Sequence, residues 1–123
     1  MADIKPFKGY LPSPDLAKII SSPPYDVISS NEARDFVENN SYSFLRVIKP
    51  EIDFLPNRLP NKKALYNHAA KNLRQSIQIG NFQSEKVPCF YIYKIVLDNH
   101  TQVGIMAGVS IEEYKNNLIK KHE

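Results

Sequence analysis

Cysteine occurs once in the 123 residues, at Cys89, so the chain can form neither an intrachain disulfide nor a cysteine-based zinc site. A lone thiol fits a reducing compartment. No apolar run approaches the ~18 residues that a membrane-spanning helix needs. The opening MADIKPFKGY also lacks the apolar stretch of a secretory signal. Charge of one sign is scarce as well: 16 Lys and Arg against 13 Asp and Glu leave a formal net charge of +3. That excess is small and dispersed, with adjacent basic residues at Lys62-Lys63 and Lys120-Lys121. A nucleic-acid partner is therefore not expected, nor is a membrane. These absences lead to the expectation of a soluble, cytoplasmic protein.

What is present describes an ordinary globular chain, with 42% hydrophobic and 24% charged residues. The length suits one domain over residues 1–123. A chain of this size buries roughly two-thirds of its unfolded surface, enough for a core without metal or disulfide staples.

Residues 4–7 alternate as a short edge strand, with Pro6 excluding a central place in a sheet. Ser13-Pro14-Asp15 reads as a helix start, and Pro23-Pro24 must stop that helix by Ser22. A second helix begins at Ser29 or Ser30, turns Phe36 and Val37 inward, and ends at Asn39-Asn40. Residues 44–48 are apolar and β-branched, which predicts a strand ending at Pro50. Residues 51–60 read as a surface loop bracketed by prolines.

Leu65, Ala69, Leu73 and Ile77 recur every four residues, which predicts a helix over 61–79 stopped by Gly80. Residues 88–97 and 102–110 form the two arms of a hairpin around Asp98-Asn99-His100. The first arm is apolar enough to be buried on most of both faces. Gly104 and Gly108 suggest close packing of another element or a bulge. One helical turn at 111–114 precedes a strand beginning at Leu118-Ile119. The fold class is α+β: a small, mostly antiparallel sheet built on this hairpin and covered by the 61–79 helix. The strand begun at 118–119 has no partner, which points to part of a larger fold and to self-association as a homo-oligomer.

Few clusters carry chemistry. Two prolines hold Tyr25 and Asp26 on a stiff loop, which suits ligand binding. The alternative is a turn in which Asp26 caps the next helix and Tyr25 packs as a lid. Arg46 and Lys49 have the donors to receive a phosphate or carboxylate. Arg46 could equally pair with Glu51 or face water. His68 stands one position before the apolar stripe, without a ligand-spaced Asp, Glu or Cys, and reads as a boundary residue. Tyr91 and Tyr93 share a strand face but lack basic interleaving, so core packing explains them better than base stacking. His122 and Glu123 beside Lys120 and Lys121 combine imidazole, carboxylate and cations, a set capable of proton transfer or phosphate handling, although a charged tail is the plainer reading. No metal site is expected, and no cofactor can be named.

An ordered series of short matches runs through the chain: Ile4 to Gly9, Ser22 to Val27, Ser43-Phe44-Leu45, Lys49-Pro50-Glu51, Pro88 with Tyr91 and Tyr93, and Ile119 to Glu123. In this the sequence resembles the amino-terminal part of a bacterial and archaeal family of conserved hypothetical proteins catalogued as domain of unknown function ten-fifteen. Family members are roughly three times as long, which implies that this chain is an amino-terminal segment, either a fragment or a split copy. The loop at 54–60 departs from the family pattern. The family has no agreed activity. In family members the stretch after the lysine-histidine-glutamate run looks similar to a ParB-like fold shared with kinases of free serine. That likeness implies Glu123 as acid/base residue and His122 as a phosphate contact. Two functions are expected. One is the ligand-binding or scaffold part of an enzyme, with small-molecule phosphotransfer as its reaction. The other is a non-catalytic protein-interaction module.

Overall fold

A computed structural model describes residues 2–120. Its elements run β1 (Ile4–Lys5), β2 (Tyr10–Pro12), α1 (Ala17–Ile20), α2 (Ser30–Val37), α3 (Leu45–Ile48), a 3-10 turn (Pro50–Asp53), α4 (Lys62–Gln78), β3 (Phe82–Ser84), β4 (Tyr91–Leu97), β5 (His100–Met106), β6 (Gly108–Val109) and α5 (Ile111–Lys115). The strands form two-stranded sheets: β1 with β6, β2 with β3, and β4 with β5. This is an α+β fold. Two compact units emerge, one of Leu11–Gln83 and one of Met1–Tyr10 with Ser84–Glu123. Among the described residues no helix is long and apolar enough to cross a membrane.

The Leu11–Gln83 unit owns the core. Ala33 and Val37 on α2, Leu45 on α3 and Ile52 in the 3-10 turn are buried together, with Ile28 and Ile48 packed against them. Helix α2 starts where its sequence says it should. The Ser29 hydroxyl accepts from the Glu32 backbone N–H at 3.2 Å, and the Glu32 carboxylate accepts from the Ser29 N–H at 2.9 Å. These reciprocal bonds satisfy donors that a helix start otherwise leaves open. The Ser29 hydroxyl, then its backbone N–H, hold the Glu32 carboxyl below its usual range. Helix α4 is capped by the Asn61 side chain, which accepts from the Ala64 N–H. Gly80 ends it at φ +86°, a left-handed conformation in which any side chain is strained. Gly80 and Asn81 then donate back to the Ile77 and Ser76 carbonyls, the bond pair of a Schellman stop.

Several expectations are corrected. Residues 44–48 are a helical turn, not a strand. A short apolar run is ambiguous by periodicity, and a helical turn is what puts Leu45 and Ile48 against one core. The expected surface loop over 51–60 begins as a 3-10 turn that puts Ile52 into that core, while residues 55–59 are exposed. Ser13 does not cap α1. Its hydroxyl donates to the Gly80 carbonyl at 2.7 Å and its N–H to the Asn81 carbonyl, so the helix starts later. Phe36 faces outward, being 46% exposed.

In the other unit β4 and β5 pair from Tyr91 with Met106 to Leu97 with His100, closed by Asp98 at φ +49°. No described residue of this unit is buried. The expected burial of both hairpin faces is wrong: Ile92 is 80% exposed and Ile105 71%. Helix α4 packs on α3 and the 3-10 turn of its own unit. Gly104 has open space where a side chain would go, so no close packing accounts for it. Residues 118–119 are not a strand. Tyr91 fastens the amino-terminal segment, accepting from the Gly9 N–H at 2.6 Å and donating to the Phe7 carbonyl at 3.3 Å. The Phe7 ring stands 5.1 Å from the Tyr91 ring.

Candidate functional site

Polar side chains of the Leu11–Gln83 unit converge where α3, the 3-10 turn and α4 meet. Asp53 is the hub. One of its carboxylate oxygens receives the Arg46 guanidinium. The other lies 2.7 Å from His68 Nε2 and accepts from Asn72 Nδ2 at 3.0 Å. His68 and Asn72 are one helical turn apart on α4, which is why one carboxylate reaches both. The His68 ring meets Phe54 edge-on at 4.9 Å. A carboxylate opposite Nε2 calls for a proton on that nitrogen, since the oxygens only accept. Asn72 also donates to the Arg46 carbonyl at 2.8 Å, and Arg46 reaches the Val37 carbonyl at 3.2 Å.

A second pair lies beside the hub. Lys49 Nζ sits 3.3 Å from a Glu51 carboxylate oxygen, and the Ser30 hydroxyl donates to the same oxygen at 2.8 Å. Burial by itself pushes the Glu51 carboxyl up. Its own backbone N–H, the Ser30 hydroxyl and the Lys49 ammonium together outweigh that, and the group rests below its usual range. A carboxyl depressed in the folded state stabilises the fold above its unfolded pKa of about 4.3 and loses that contribution as pH falls toward the folded value. Glu51→Gln is therefore expected to cost about 1 kcal/mol at pH 7. It is also expected to flatten the stability loss below about pH 4.5, the range set by the unfolded carboxyl. Urea unfolding at pH 3, 4, 5 and 7 measures both, and a variant as acid-sensitive as the parent would remove Glu51 from this role.

Next to these contacts a cavity of about 310 Å³ opens between residues 41–47 and the end of α4. Its lining includes Ser43, Phe44, Arg46, Asn72, Asn81 and Phe82. Phe44 and Phe82 meet edge to face at 5.8 Å. Asn81 is 5% exposed, and its side-chain amide has no hydrogen-bond partner among the described residues. The amide is not among the fully enclosed unpaired side-chain atoms, which are Arg34 Nε and Arg46 Nε among the described residues, and Asn81 itself lines the cavity. Enclosing such an amide without a partner costs about 1–3 kcal/mol, so whatever fills the cavity decides how well it is satisfied. Ser43 is also buried; its hydroxyl accepts from the Leu45 N–H at 3.3 Å and has no acceptor for its own proton among the described residues.

The residues singled out in the sequence are distributed unevenly. Arg46 and Lys49 are brought together, but each is engaged by a carboxylate of the protein, and Arg46 pairs with Asp53 rather than Glu51. Tyr25 and Asp26 are exposed, without side-chain polar partners among the described residues. The Tyr25 carbonyl accepts weakly from Lys49 at 3.5 Å, and Ser29, not Asp26, caps α2. Pro23 and Val27 of that loop line a shallow concavity with Glu32 and Phe36. His122 and Glu123 lie outside the described residues. Sequence reasoning passed over Asp53, Asn72 and Asn81. The usable signal was the spacing of His68 and Asn72, polar residues each placed just before a residue of the apolar stripe. No cluster of three or more His, Cys, Asp or Glu suited to a metal occurs among the described residues.

The sequence model of one protein family, described as "Protein of unknown function (DUF1015)", matches residues 4–123. No curated protein and no solved structure matches the chain.

Proposed function

We propose a function from the premise that this chain belongs to the DUF1015 family: it is the ligand-binding or scaffold part of an enzyme acting on small molecules. The observation that carries the proposal is the cavity beside Asn81, where a residue only 5% exposed keeps an amide that no described protein group satisfies. Native proteins pair almost all buried polar groups, and each exception calls for a reason, a bound water, ion or ligand among them. Phosphotransfer is the proposed reaction, with Glu123 as base and His122 as a phosphate contact; its support is the family likeness at that pair.

A thermal-shift screen against nucleosides, nucleotides, phosphorylated metabolites and amino acids tests this reading. A ligand at 100 times its Kd contributes about 2.7 kcal/mol, enough to raise the midpoint by several degrees. If no compound moves the midpoint, ligand binding is wrong. Once turnover is found, Glu123→Gln should lower it about 100- to 10,000-fold while leaving the fold intact. The exposed faces of β4 and β5 favour a second reading, a non-catalytic interaction module, for which the same screen would be silent.

A further inference from the structure

The lining of the cavity in the Leu11–Gln83 unit also bears on the class of its ligand, an inference that rests on the ligand-binding reading. Three lining residues are side-chain amides: Asn72, Gln75 and Asn81. Asn72 spends its N–H donors on the Arg46 carbonyl and Asp53, which leaves its oxygen as an acceptor. Asn81 offers donor and acceptor side by side, and Ser43 adds a free hydroxyl donor. Arg46 is the one lining residue with a formal charge, and its guanidinium is answered by Asp53 and the Val37 carbonyl. The wall therefore recognises hydrogen-bonding pattern rather than charge. Phe44 and Phe82 contribute ring surface.

We propose that this cavity binds the heterocyclic base of a nucleoside or nucleotide, with the Asn81 amide on the base edge and the rings against its face. Asparagine and glutamine amides pair bidentately with a base edge because donor and acceptor match in one plane. Bases stack on aromatic side chains whatever their identity. A space of about 310 Å³ suits a base with its sugar. With no unopposed cation in the wall, the phosphates of a nucleotide stay outside. The hydroxyls of a polyol also pair with amides, which is why a sugar serves as the control.

Calorimetric titration of the full chain with adenosine, guanosine, cytidine, uridine and, as the control, ribose decides the point. One nucleoside is expected to bind, and ribose is not. Asn81→Asp keeps the shape while replacing the amide donor, and should weaken that nucleoside about tenfold or more. Gln75 is exposed on the rim, so Gln75→Ala tests the same wall without risk to the fold, and about a fivefold loss is expected. Nucleoside affinity unchanged in both variants would place binding elsewhere and overturn the proposal. Binding of ribose or an amino acid instead of any nucleoside would overturn the ligand class and leave the ligand-binding reading standing. Failure of every compound, those of the wider screen included, would remove both.

Discussion

Leu45→Ala is expected to destabilise the Leu11–Gln83 unit by about 2–5 kcal/mol, the usual cost of emptying a fully buried leucine site. Leu45 has no exposed surface and is the largest side chain so enclosed among the described residues. It stands between α2 and the 3-10 turn, where Ala33, Val37 and Ile52 surround it. A small core has little to replace it with, and total stabilities run to only about 5–15 kcal/mol. Leu45→Met, which keeps the volume, should cost less than about 1.5 kcal/mol. Ile92→Ala supplies the contrast: a similar side chain, 80% exposed, whose loss should change stability by no more than about 0.5 kcal/mol. Urea unfolding followed by far-ultraviolet circular dichroism reads this directly, because α1 to α4 all lie in that unit. A Leu45→Ala variant unfolding at the parental midpoint would mean that the core is not organised around this residue.

Asp53→Ala should cost about 2–3 kcal/mol, by leaving three donors without their acceptor. The Arg46, His68 and Asn72 side chains come from two helices and all three reach this carboxylate. The Asp53 side chain is 16% exposed, and the Arg46 and His68 side chains are 30% and 27% exposed. Water can therefore take up part of the freed capacity, and the cost stays below that of a fully buried ion pair. Asp53→Asn retains one acceptor oxygen and should lose about half as much. The same urea measurement applies. Equal losses for the two variants would show that charge, not the number of acceptors, holds the hub together.

How much of this was legible in the sequence depends on whether the signal was local. The cap at Ser29, the stop at Gly80 and the long helix between Asn61 and Gly80 are local, and each is where its residues put it. Residues 44–48 were not legible, because a short apolar run satisfies a strand and a helical turn alike. Only the position of the α2 core decided between them, and that is a tertiary fact. The hairpin was placed correctly as a pair of strands, yet its burial was misjudged: apolar residues on both faces state what a strand would bury, not what lies beside it. Candidate site residues fared likewise. Arg46 and Lys49 stood out by charge, but their acid partners were fixed by a 3-10 turn that proline-rich sequence disguised as a loop. Asn81 gave no signal at all, since its interest comes from enclosure.

The bond from Gly9 to Tyr91 bears on how the sequence can drift. A Cβ on residue 9 would lie 2.7 Å from the Tyr91 hydroxyl oxygen, inside any real contact distance. Gly9 is not held to glycine by its backbone angle, because among the described residues the positive-φ glycine is Gly80. Space alone fixes it, and one side chain 82 positions away occupies that space. The two sites are therefore coupled: a larger residue at 9 displaces the Tyr91 hydroxyl from the Gly9 N–H and the Phe7 carbonyl, whereas once the tyrosine is lost position 9 is released. The order of the two substitutions thus carries a direction that neither residue has alone.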